Sequence, residues 1–329
     1  MFSALFTAFL LLDATSRAHF PMWRMSISAG SSTCNGYAEL CDRKYSNVTF
    51  VGAHDSAFVG YLLTQNQHWA VSKQLSKGYR YLQGQTHKND DDVISMCHTT
   101  CSELDSGTLA TYLTTVKDFL DDNANEVVTL LLTNSDAIDI SEYATIFEDV
   151  GLDSYAFTPS TSPKTLSMSS WPTLQTLIDD GTRLIVFMGS YLRRHNSPPT
   201  LELCSALTSQ TDYNADESEV SYILDEFNYY FETSYDVTDS SFPDCSIDRP
   251  SGASATGRMY IVNHFLDIDI LGIYIPYELV AGTTNSVASI EAQATICEGL
   301  YNRNPNVVLL DYVDMGKGLV AEADMNGVS

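Results

Sequence analysis

Short apolar runs alternate with amphipathic stretches along most of the chain. Several runs are continuously apolar, among them VVTLLLT at Val127–Thr133 and RLIVFM at Arg183–Met188. Continuous runs of this length are typical of parallel strands that are covered on both faces. The stretch Leu109–Leu120, which precedes one such run, has the spacing of an amphipathic helix. The alternation therefore predicts an α/β fold.

The apolar runs are numerous enough for a closed sheet. We predict strands at Val48–Ala53, Tyr79–Thr86, Val93–Cys97, Val127–Thr133, Arg183–Met188, Asn228–Thr233, Met259–Phe265 and Val307–Leu310. Such strands alternating with helices suit a TIM-type (β/α)8 barrel forming a single domain over residues 19–329. The alternative is an open doubly wound sheet, but no GxGxxG phosphate loop follows the first strand.

Polar side chains cluster at the carboxyl ends of these predicted strands. In a barrel those ends meet at one face, where catalytic groups are found. Any single one of these residues could be a turn or cap residue, but their recurrence on most strands favours a site. The residues concerned are His54, Asp55, Gln83, Gln85, His98, Thr133, Asn134, Glu232, Asn263, His264 and Asp311.

Composition and the N-terminus indicate an extracellular protein. Residues 1–18 read as a signal peptide, because the apolar run Ala4–Leu12 is too short to span a bilayer and small residues follow it. A buried N-terminal helix is the alternative. The chain has 42 Asp and Glu against 17 Lys and Arg, a formal net charge of −25. This charge argues against nucleic acid as a partner and disfavours long residence on anionic membranes.

The seven cysteines agree with an oxidising compartment. Cys34 and Cys41 are close in sequence, as are Cys97 and Cys101, and each pair is expected to form a disulfide. Cys204 and Cys245 form a plausible third pair, which leaves Cys297 over. Asn47 heads an N-x-Thr sequon, which fits a secreted glycoprotein.

The order of motifs resembles a known family. NVTFVGAHDSAF, GYRYLQGQTH, MCHTTC, NEVVTLLLTN and NVVLLDYVD follow one another as in the phosphatidylinositol-specific phospholipase C superfamily. They are most similar to its secreted fungal branch of PLC-like phosphodiesterases. The resemblance runs from about Cys34 to Asn326 and implies a distorted TIM barrel that acts as a phosphoric diester hydrolase.

The resemblance also implies roles for four residues. His54 is the expected general base, with Asp311 fixing its tautomer and stabilising its protonated ring. His98 is the expected general acid for the leaving alkoxide, and Asp55 holds that acid protonated or bridges the leaving oxygen. The alternative is that the two histidines only satisfy hydrogen bonds in the barrel mouth.

One departure concerns the phosphate. The arginine that binds phosphate in the family falls on Gln85, a carboxylate of the same strand falls on Gln83, and a lysine falls on Thr133 or Asn134. Losing such a group can cost on the order of 3–4 kcal/mol of transition-state stabilisation. Calcium near Asp55, Gln83 and Gln85 could compensate, but one carboxylate with neutral amides is poor calcium chemistry. We therefore expect a site without cofactor or metal.

Substrate contacts are expected where the family holds its polyol headgroup, after the sixth strand. Glu232 and Tyr235 lie there, in addition to Gln83, Gln85 and Asn134 near the phosphate. Arg193 and Arg194 follow the fifth strand and could meet a phosphate, or they could be a surface pair.

Two further histidines are interpreted as structural. His264 is expected to be a core histidine bonded to the backbone. His87 and Asp90–Asp92 are expected to form a solvated turn between two strands, with a metal site as the alternative.

The sequence thus predicts a secreted monomer that cleaves a phosphodiester in a polyol-containing lipid or headgroup, with transient contact to a membrane surface. A catalytically weak or inactive barrel that binds headgroups or glycans is the alternative. A third hypothesis, a barrel glycosidase using Glu232 and Asp311, leaves the two histidines unexplained.

Overall fold

The apolar runs form the strands of one curled sheet in the computed structural model, which describes residues 33–189, 215–238, 242–271 and 273–328. The strands are β1 Phe50–Ala53, β2 Tyr81–Lys88, β3 Ile94–Cys97, β4 Asp105–Thr108, β5 Val128–Asn134, β6 Leu184–Gly189, β7 Ile223–Asp225, β8 Tyr230–Glu232, β9 Met259–Asn263, β10 Asp267–Ile270, β11 Ile273–Pro276 and β12 Val307–Leu310. The α-helices are α1 Val71–Lys77, α2 Leu109–Asp122, α3 Ile140–Val150, α4 Leu174–Asp179, α5 Glu226–Tyr229, α6 Glu278–Thr284, α7 Val287–Tyr301 and α8 Gly318–Asn326.

The sheet has the parallel order of a barrel. Its strands pair in the order β7-β6-β5-β2-β1-β12-β9-β8, and every neighbouring pair on this path is parallel. The two end strands β7 and β8, both fully described, do not pair, so the curled sheet stays open between them. The predicted barrel class is confirmed, in a distorted and incompletely closed form.

Two strand assignments from the sequence need correction. The run Val93–Cys97 is not a barrel strand: β3 pairs antiparallel with β2 and with β4, forming an extension of the sheet. The eighth parallel strand of the sheet is instead β7, whose residues Ile223–Asp225 are not among the predicted strands. A three-residue strand is too short to show a period.

Alternation along the strands separates two apolar layers. On β5, Leu130 and Leu132 pack in the outer layer between sheet and helices, with Leu113 and Val116 of α2. Leu131, between them, points inward to the layer that includes Phe187. Because successive side chains of a strand alternate between faces, both faces of these strands are apolar, which explains the continuous runs.

An aromatic cluster packs in the inner layer. Trp171, 2% exposed, has ring centroids 4.7 Å from Tyr45 and 5.5 Å from Phe157. The Tyr45 hydroxyl bonds to Thr129 of β5 at 2.9 Å and to Tyr230 of β8 at 3.2 Å. These bonds tie two distant strands of the curled sheet together from the inside.

Three disulfides link the described cysteines. Cys34–Cys41 and Cys97–Cys101 are confirmed. The third bridge joins Cys245 to Cys297, so the prediction that Cys297 is left over and that Cys245 pairs with Cys204 is wrong. Cys204 itself lies outside the described residues, as do residues 1–18, Arg193 and Arg194.

The described residues fall in one compact unit, Ser32–Ser329. Within them, no helix combines the length and the apolar character that a membrane crossing needs.

Candidate functional site

A histidine–aspartate pair joins the ends of two neighbouring strands. Ala53 of β1 lies beside Leu310 of β12, so the next residues, His54 and Asp311, leave the sheet side by side. His54 Nδ1 is 2.8 Å from Asp311 Oδ1, which also accepts a hydrogen bond from Asn66 Nδ2 at 3.0 Å. The pairing fixes Nδ1 as the protonated nitrogen of a neutral His54 ring and leaves Nε2 for other chemistry.

Asp55 stands between the two predicted catalytic histidines. Its Oδ2 lies 3.6 Å from His54 Nε2 and 3.3 Å from His98 Nε2, and the residue is fully buried. The backbone of Asp55 has a left-handed φ of 44°, and its N–H donates to Gln83 Oε1 at 2.7 Å. A carboxylate in this position can accept a hydrogen bond from either imidazole.

A disulfide loop brings His98 into this arrangement. His98 follows β3, and the bridge Cys97–Cys101 closes the turn that carries it. The ring of His98 packs against Phe58, with centroids 5.0 Å apart. His98 therefore reaches the site from the antiparallel extension rather than from the end of a barrel strand.

The charges around His54 favour its protonated form. Burial lowers the pKa of His54, but the neighbouring carboxylates of Asp55 and Asp311 outweigh it and raise the pKa to about 9. The ring also stacks on Phe265, with centroids 4.0 Å apart and planes at 14°. In the free protein His54 is consequently protonated at neutral pH.

Two acidic groups beside His54 shift in opposite directions. Burial raises the pKa of Asp55, but the positive charges of His54 and His98 prevail and hold it below its ordinary value. For Asp267, burial and then the charge of Asp311 raise the pKa to about 8. At pH 7 the site thus combines an ionised carboxylate with a neutral carboxylic acid that can donate a hydrogen bond.

A cavity of about 220 Å³ opens onto these groups. Five predicted site residues line it: His54, Asp55, Gln85, His98 and Tyr235. No lysine or arginine is among the described residues that line the cavity. The lining also includes Asn66, His87, Thr99, Ser135, Asp236, Phe265, Asp267, Tyr274 and Pro276.

The two glutamines of β2 are held by the surrounding protein. Gln85 Nε2 donates to Asp55 Oδ2 at 2.9 Å, and Gln85 Oε1 accepts from the Thr99 N–H at 3.0 Å. Gln83 Oε1 accepts from the backbone of Asp55. Because both amide oxygens face N–H donors, they are not oriented as calcium ligands, and the donor set does not fit that ion.

Among the described residues, one group of three metal-ligand side chains has its ligand atoms within 4.8 Å of one another: Cys97, Cys101 and Asp105. Both cysteines are consumed in a disulfide. This group therefore offers no metal centre.

Other predicted contacts lie away from the cavity lining. Asn134 uses its side chain to bond the backbone of Ile138, at 2.8 and 2.9 Å, which shapes the loop after β5. Thr133 is likewise buried at the end of β5. Gln83 and Asp311 act on the cavity through Asp55 and His54 respectively.

Glu232 belongs to a buried cluster of charged and polar side chains. It forms an ion pair with Arg249 and accepts from Asn263 Nδ2 at 3.2 Å. Burial, followed by the charge of Glu232, raises the pKa of neighbouring Glu226 well above its ordinary value, so Glu226 is protonated and donates to Glu232. Arg249 in turn lies over the ring of Tyr235, 4.4 Å from its centroid. Glu232 thus positions the wall that carries Tyr235.

The glycosidase hypothesis is not supported by this arrangement. Its two nominated acids, Glu232 and Asp311, are already engaged by Arg249 and by His54 and Asn66.

Several cavity residues were missed or misjudged from the sequence. Asn66 and Phe265 lie in loops, and Asp267 begins the short strand β10, so no period marks them. His87 is 9% exposed and lines the cavity, so its assignment to a solvated turn is wrong, whereas Asp90–Asp92 are exposed as predicted. The sequence feature that could have indicated two of these residues is Phe265-Leu266-Asp267, where an aromatic and an acidic residue stand at the end of a predicted strand.

His264 behaves as predicted. It is buried, and its two ring nitrogens bond Gln293 Oε1 at 2.5 Å and the backbone oxygen of Thr284 at 2.7 Å.

Comparison with known proteins gives one family. The sequence model described as PI-PLC X 1 matches residues 40–202 and 196–326. A PI-PLC X domain-containing protein 1 of Arthroderma benhamiae is 48% identical over 299 residues, covering 90% of each chain. A second protein of that fungus, called an uncharacterized secreted protein, is 38% identical over 294 residues, which are 86% of this chain and 60% of that protein.

A solved structure shares the fold. The phosphatidylinositol-specific phospholipase C of Listeria monocytogenes superposes with a TM-score of 0.51 at 12% identity, over 88% of this chain and 96% of that one.

Proposed function

This chain belongs to the PI-PLC X family, and on that premise we propose that it is a phospholipase C-type phosphodiesterase using His54 and His98 as base and acid. The proposed substrate is a phosphodiester whose polyol, inositol-like headgroup carries a hydroxyl beside the phosphate. The observation that carries the proposal is the linked set Asp311–His54–Asp55–His98 at the cavity. It supplies two imidazoles, each with a carboxylate partner, in one place.

His54 Nε2 is the proposed base. It accepts the proton of the hydroxyl beside the phosphate while that oxygen forms a bond to phosphorus. The bond from Nδ1 to Asp311 stabilises the imidazolium that results. Because the pKa of His54 is raised to about 9, only its deprotonated minority acts as the base at pH 7, and the limb of the bell-shaped pH–rate profile that belongs to His54 is expected near pH 9.

His98 is the proposed acid. As the bond between phosphorus and the lipid-side oxygen breaks, protonated His98 transfers its proton to that oxygen, which leaves as an alcohol. Asp55, ionised because its pKa is lowered, lies 3.3 Å from His98 Nε2 and can orient the ring through that nitrogen. The product that remains on the headgroup is a cyclic phosphate.

We propose that this chemistry needs no metal ion. The proposal is supported by the bonds of Gln83 and Gln85, whose amide oxygens accept from backbone N–H groups instead of facing a cation. In a chain with these bonds, phosphate must be held by neutral donors and by protonated histidines.

A lipid aggregate is the proposed source of the substrate. Exposed apolar side chains occur on two segments, one that precedes the lining residue Asn66 and one that includes the lining residue Tyr274. Tyr61, Leu62 and Leu63 are 81, 66 and 71% exposed. On the β10–β11 hairpin, Leu271 is 100% exposed and Tyr274 lines the cavity. Patches of this kind mark interaction surfaces.

His68 connects the first segment to the residues that follow the hairpin. Its ring stacks on Tyr61 at 4.7 Å, and its Nε2 is 3.3 Å from Glu278, which follows the hairpin. A net charge of −25 disfavours anionic lipid, so we propose brief contact with a largely zwitterionic surface.

Secretion is part of the proposal. It is supported by the signal-like residues 1–18, by the disulfides and by the name of the second Arthroderma protein. Asn47 is exposed, as a glycosylated residue requires. A monomer is the proposed state.

One observation favours a second candidate, a barrel that binds headgroups without cleaving them. The described lining of the cavity carries carboxylates but no lysine or arginine to stabilise a phosphoryl transition state.

The deciding experiment incubates the purified chain with phosphatidylinositol and related phosphodiesters, in EDTA and in calcium. The proposal expects turnover that EDTA leaves unchanged. Activity that appears only with calcium contradicts the metal-free site. Headgroup binding without turnover of any phosphodiester favours the second candidate.

A further inference from the structure

A third histidine–aspartate pair lies on the cavity, outside the catalytic set. His87 is on β2, and side chains two residues apart on a strand point to the same face, so it follows Gln85 along the cavity wall. Strand geometry puts the two residues roughly 6.6 Å apart. Parallel pairing of Thr86 with Asn134 brings the residues after β5 alongside. There His87 Nδ1 meets Asp136 Oδ1 at 2.8 Å.

The contacts of this pair hold the ring in one orientation. The other Asp136 oxygen accepts from the Lys88 N–H at 3.0 Å, so the carboxylate is fixed by the strand itself. His87 is 9% exposed, and no hydrogen bond from a described residue occupies its Nε2. A ring held through Nδ1 presents Nε2 to a ligand, and when protonated it donates from Nε2.

The charge of the cavity explains why such a donor is needed. His54 and His98 are tied to Asp311 and Asp55 and are assigned to proton transfer. The other acidic groups of the described lining are Asp236 and Asp267, of which Asp267 is neutral at pH 7 because its pKa is raised to about 8. Lys88, next to His87, pairs with Asp92 and Glu142. An anionic phosphate therefore meets carboxylates unless a further positive group faces it.

We propose that His87, held by Asp136, is a phosphate-binding residue of this cavity and replaces the cation that Gln85 cannot supply. The inference rests on the proposed function, because it assigns a role within the same site. The protonated ring donates Nε2–H to a non-bridging oxygen of the phosphate, while His54 and His98 move protons. The charge-assisted bond is of the kind that holds phosphate firmly elsewhere.

The test compares three variants by calorimetry with inorganic phosphate, myo-inositol and myo-inositol 1-phosphate. His87→Asn keeps a donor near the Nδ1 position for Asp136 but removes Nε2. His87→Arg keeps a positive charge. His68→Asn is the matched control, because His68 pairs in the same way with Asp314 at 3.0 Å yet does not line the cavity.

We expect His87→Asn to weaken binding of both phosphates about tenfold and to leave inositol binding unchanged. His87→Arg and His68→Asn should bind both phosphates about as tightly as wild type. Equal weakening of inositol, or no weakening of phosphate, overturns the inference, as does a wild-type chain that binds no phosphate. If wild type cleaves phosphodiesters but His87→Asn binds phosphate normally, only the inference fails. If phosphate binds through His87 but no phosphodiester is cleaved, only the proposed function fails.

Discussion

The pKa of His54 is the quantity on which the acid–base account depends. Replacing Asp311 by Asn keeps the side-chain volume but removes one of the carboxylates that raise this pKa to about 9 from an ordinary value of 6.5. Unit charges about 4 Å apart attract by about 4 kcal/mol at an effective dielectric constant near 20. Each pKa unit corresponds to about 1.4 kcal/mol, so the loss of Asp311 should lower the pKa of His54 by roughly two to three.

Histidine ring signals, followed by NMR in a chain labelled at histidine, measure this change directly. His54→Asn identifies the signal. Asp314→Asn is the matched control, because Asp314 bonds His68 and not His54. We expect His54 to titrate near pH 7 or below in Asp311→Asn and near 9 in wild type and in Asp314→Asn. A His54 that still titrates near 9 without Asp311, or that shifts equally in the control, refutes the reasoning.

Three further predictions concern stability, the phosphate and the membrane. Replacing Cys245 and Cys297 by alanine opens a 52-residue loop and should lower the free energy of unfolding by about 4 kcal/mol. Opening the 7-residue Cys34–Cys41 loop should cost about 2 kcal/mol, because a shorter loop restricts the unfolded chain less. Equal losses in urea denaturation would contradict this dependence on loop length. Gln85→Arg adds a cation beside Asp55 and should raise turnover at least about tenfold. A folded variant with no gain in turnover would contradict the view that the missing arginine limits stabilisation of the phosphate. Leu271→Ser should weaken sedimentation with phosphatidylcholine vesicles. Leu300 is 59% exposed on α7, away from the hairpin, and Leu300→Ser should have no effect. Equal effects of the two variants would rule out the β10–β11 hairpin as the membrane contact.

The fold could be predicted because its strands are buried on both faces. Runs such as Val128–Asn134 leave no polar side for solvent, and this pattern belongs to parallel sheets. β3 was misplaced because an apolar run does not reveal the direction of its partner: the antiparallel partner β4 is polar and exposed, with residues Asp105–Thr108. The residues of β4 show neither an apolar run nor an apolar–polar alternation that would predict a strand.

The candidate site could be predicted only for residues that follow the ends of neighbouring parallel strands. His54 and Asp311 meet because β1 and β12 are neighbours in register, which strand order alone implies. Asn66 is placed by a loop and Asp267 by the short antiparallel hairpin β10–β11, and no sequence period encodes either position. The Cys245–Cys297 bridge was missed for a related reason, since a contact across 52 residues depends on how the chain folds back, unlike the local pair Cys97–Cys101.

The central claim is that His54 and His98 together convert an inositol phosphodiester to a cyclic phosphate without metal. Phosphorus NMR of phosphatidylinositol in detergent micelles, with enzyme and excess EDTA, follows substrate and cyclic product in one spectrum. The account predicts a cyclic phosphate signal with wild type and a rate lowered a hundredfold or more in both His54→Asn and His98→Asn, since general acid–base catalysis contributes about 10²–10⁴-fold. Unchanged rates in either variant, or the absence of any cyclic phosphate from wild type, would contradict it.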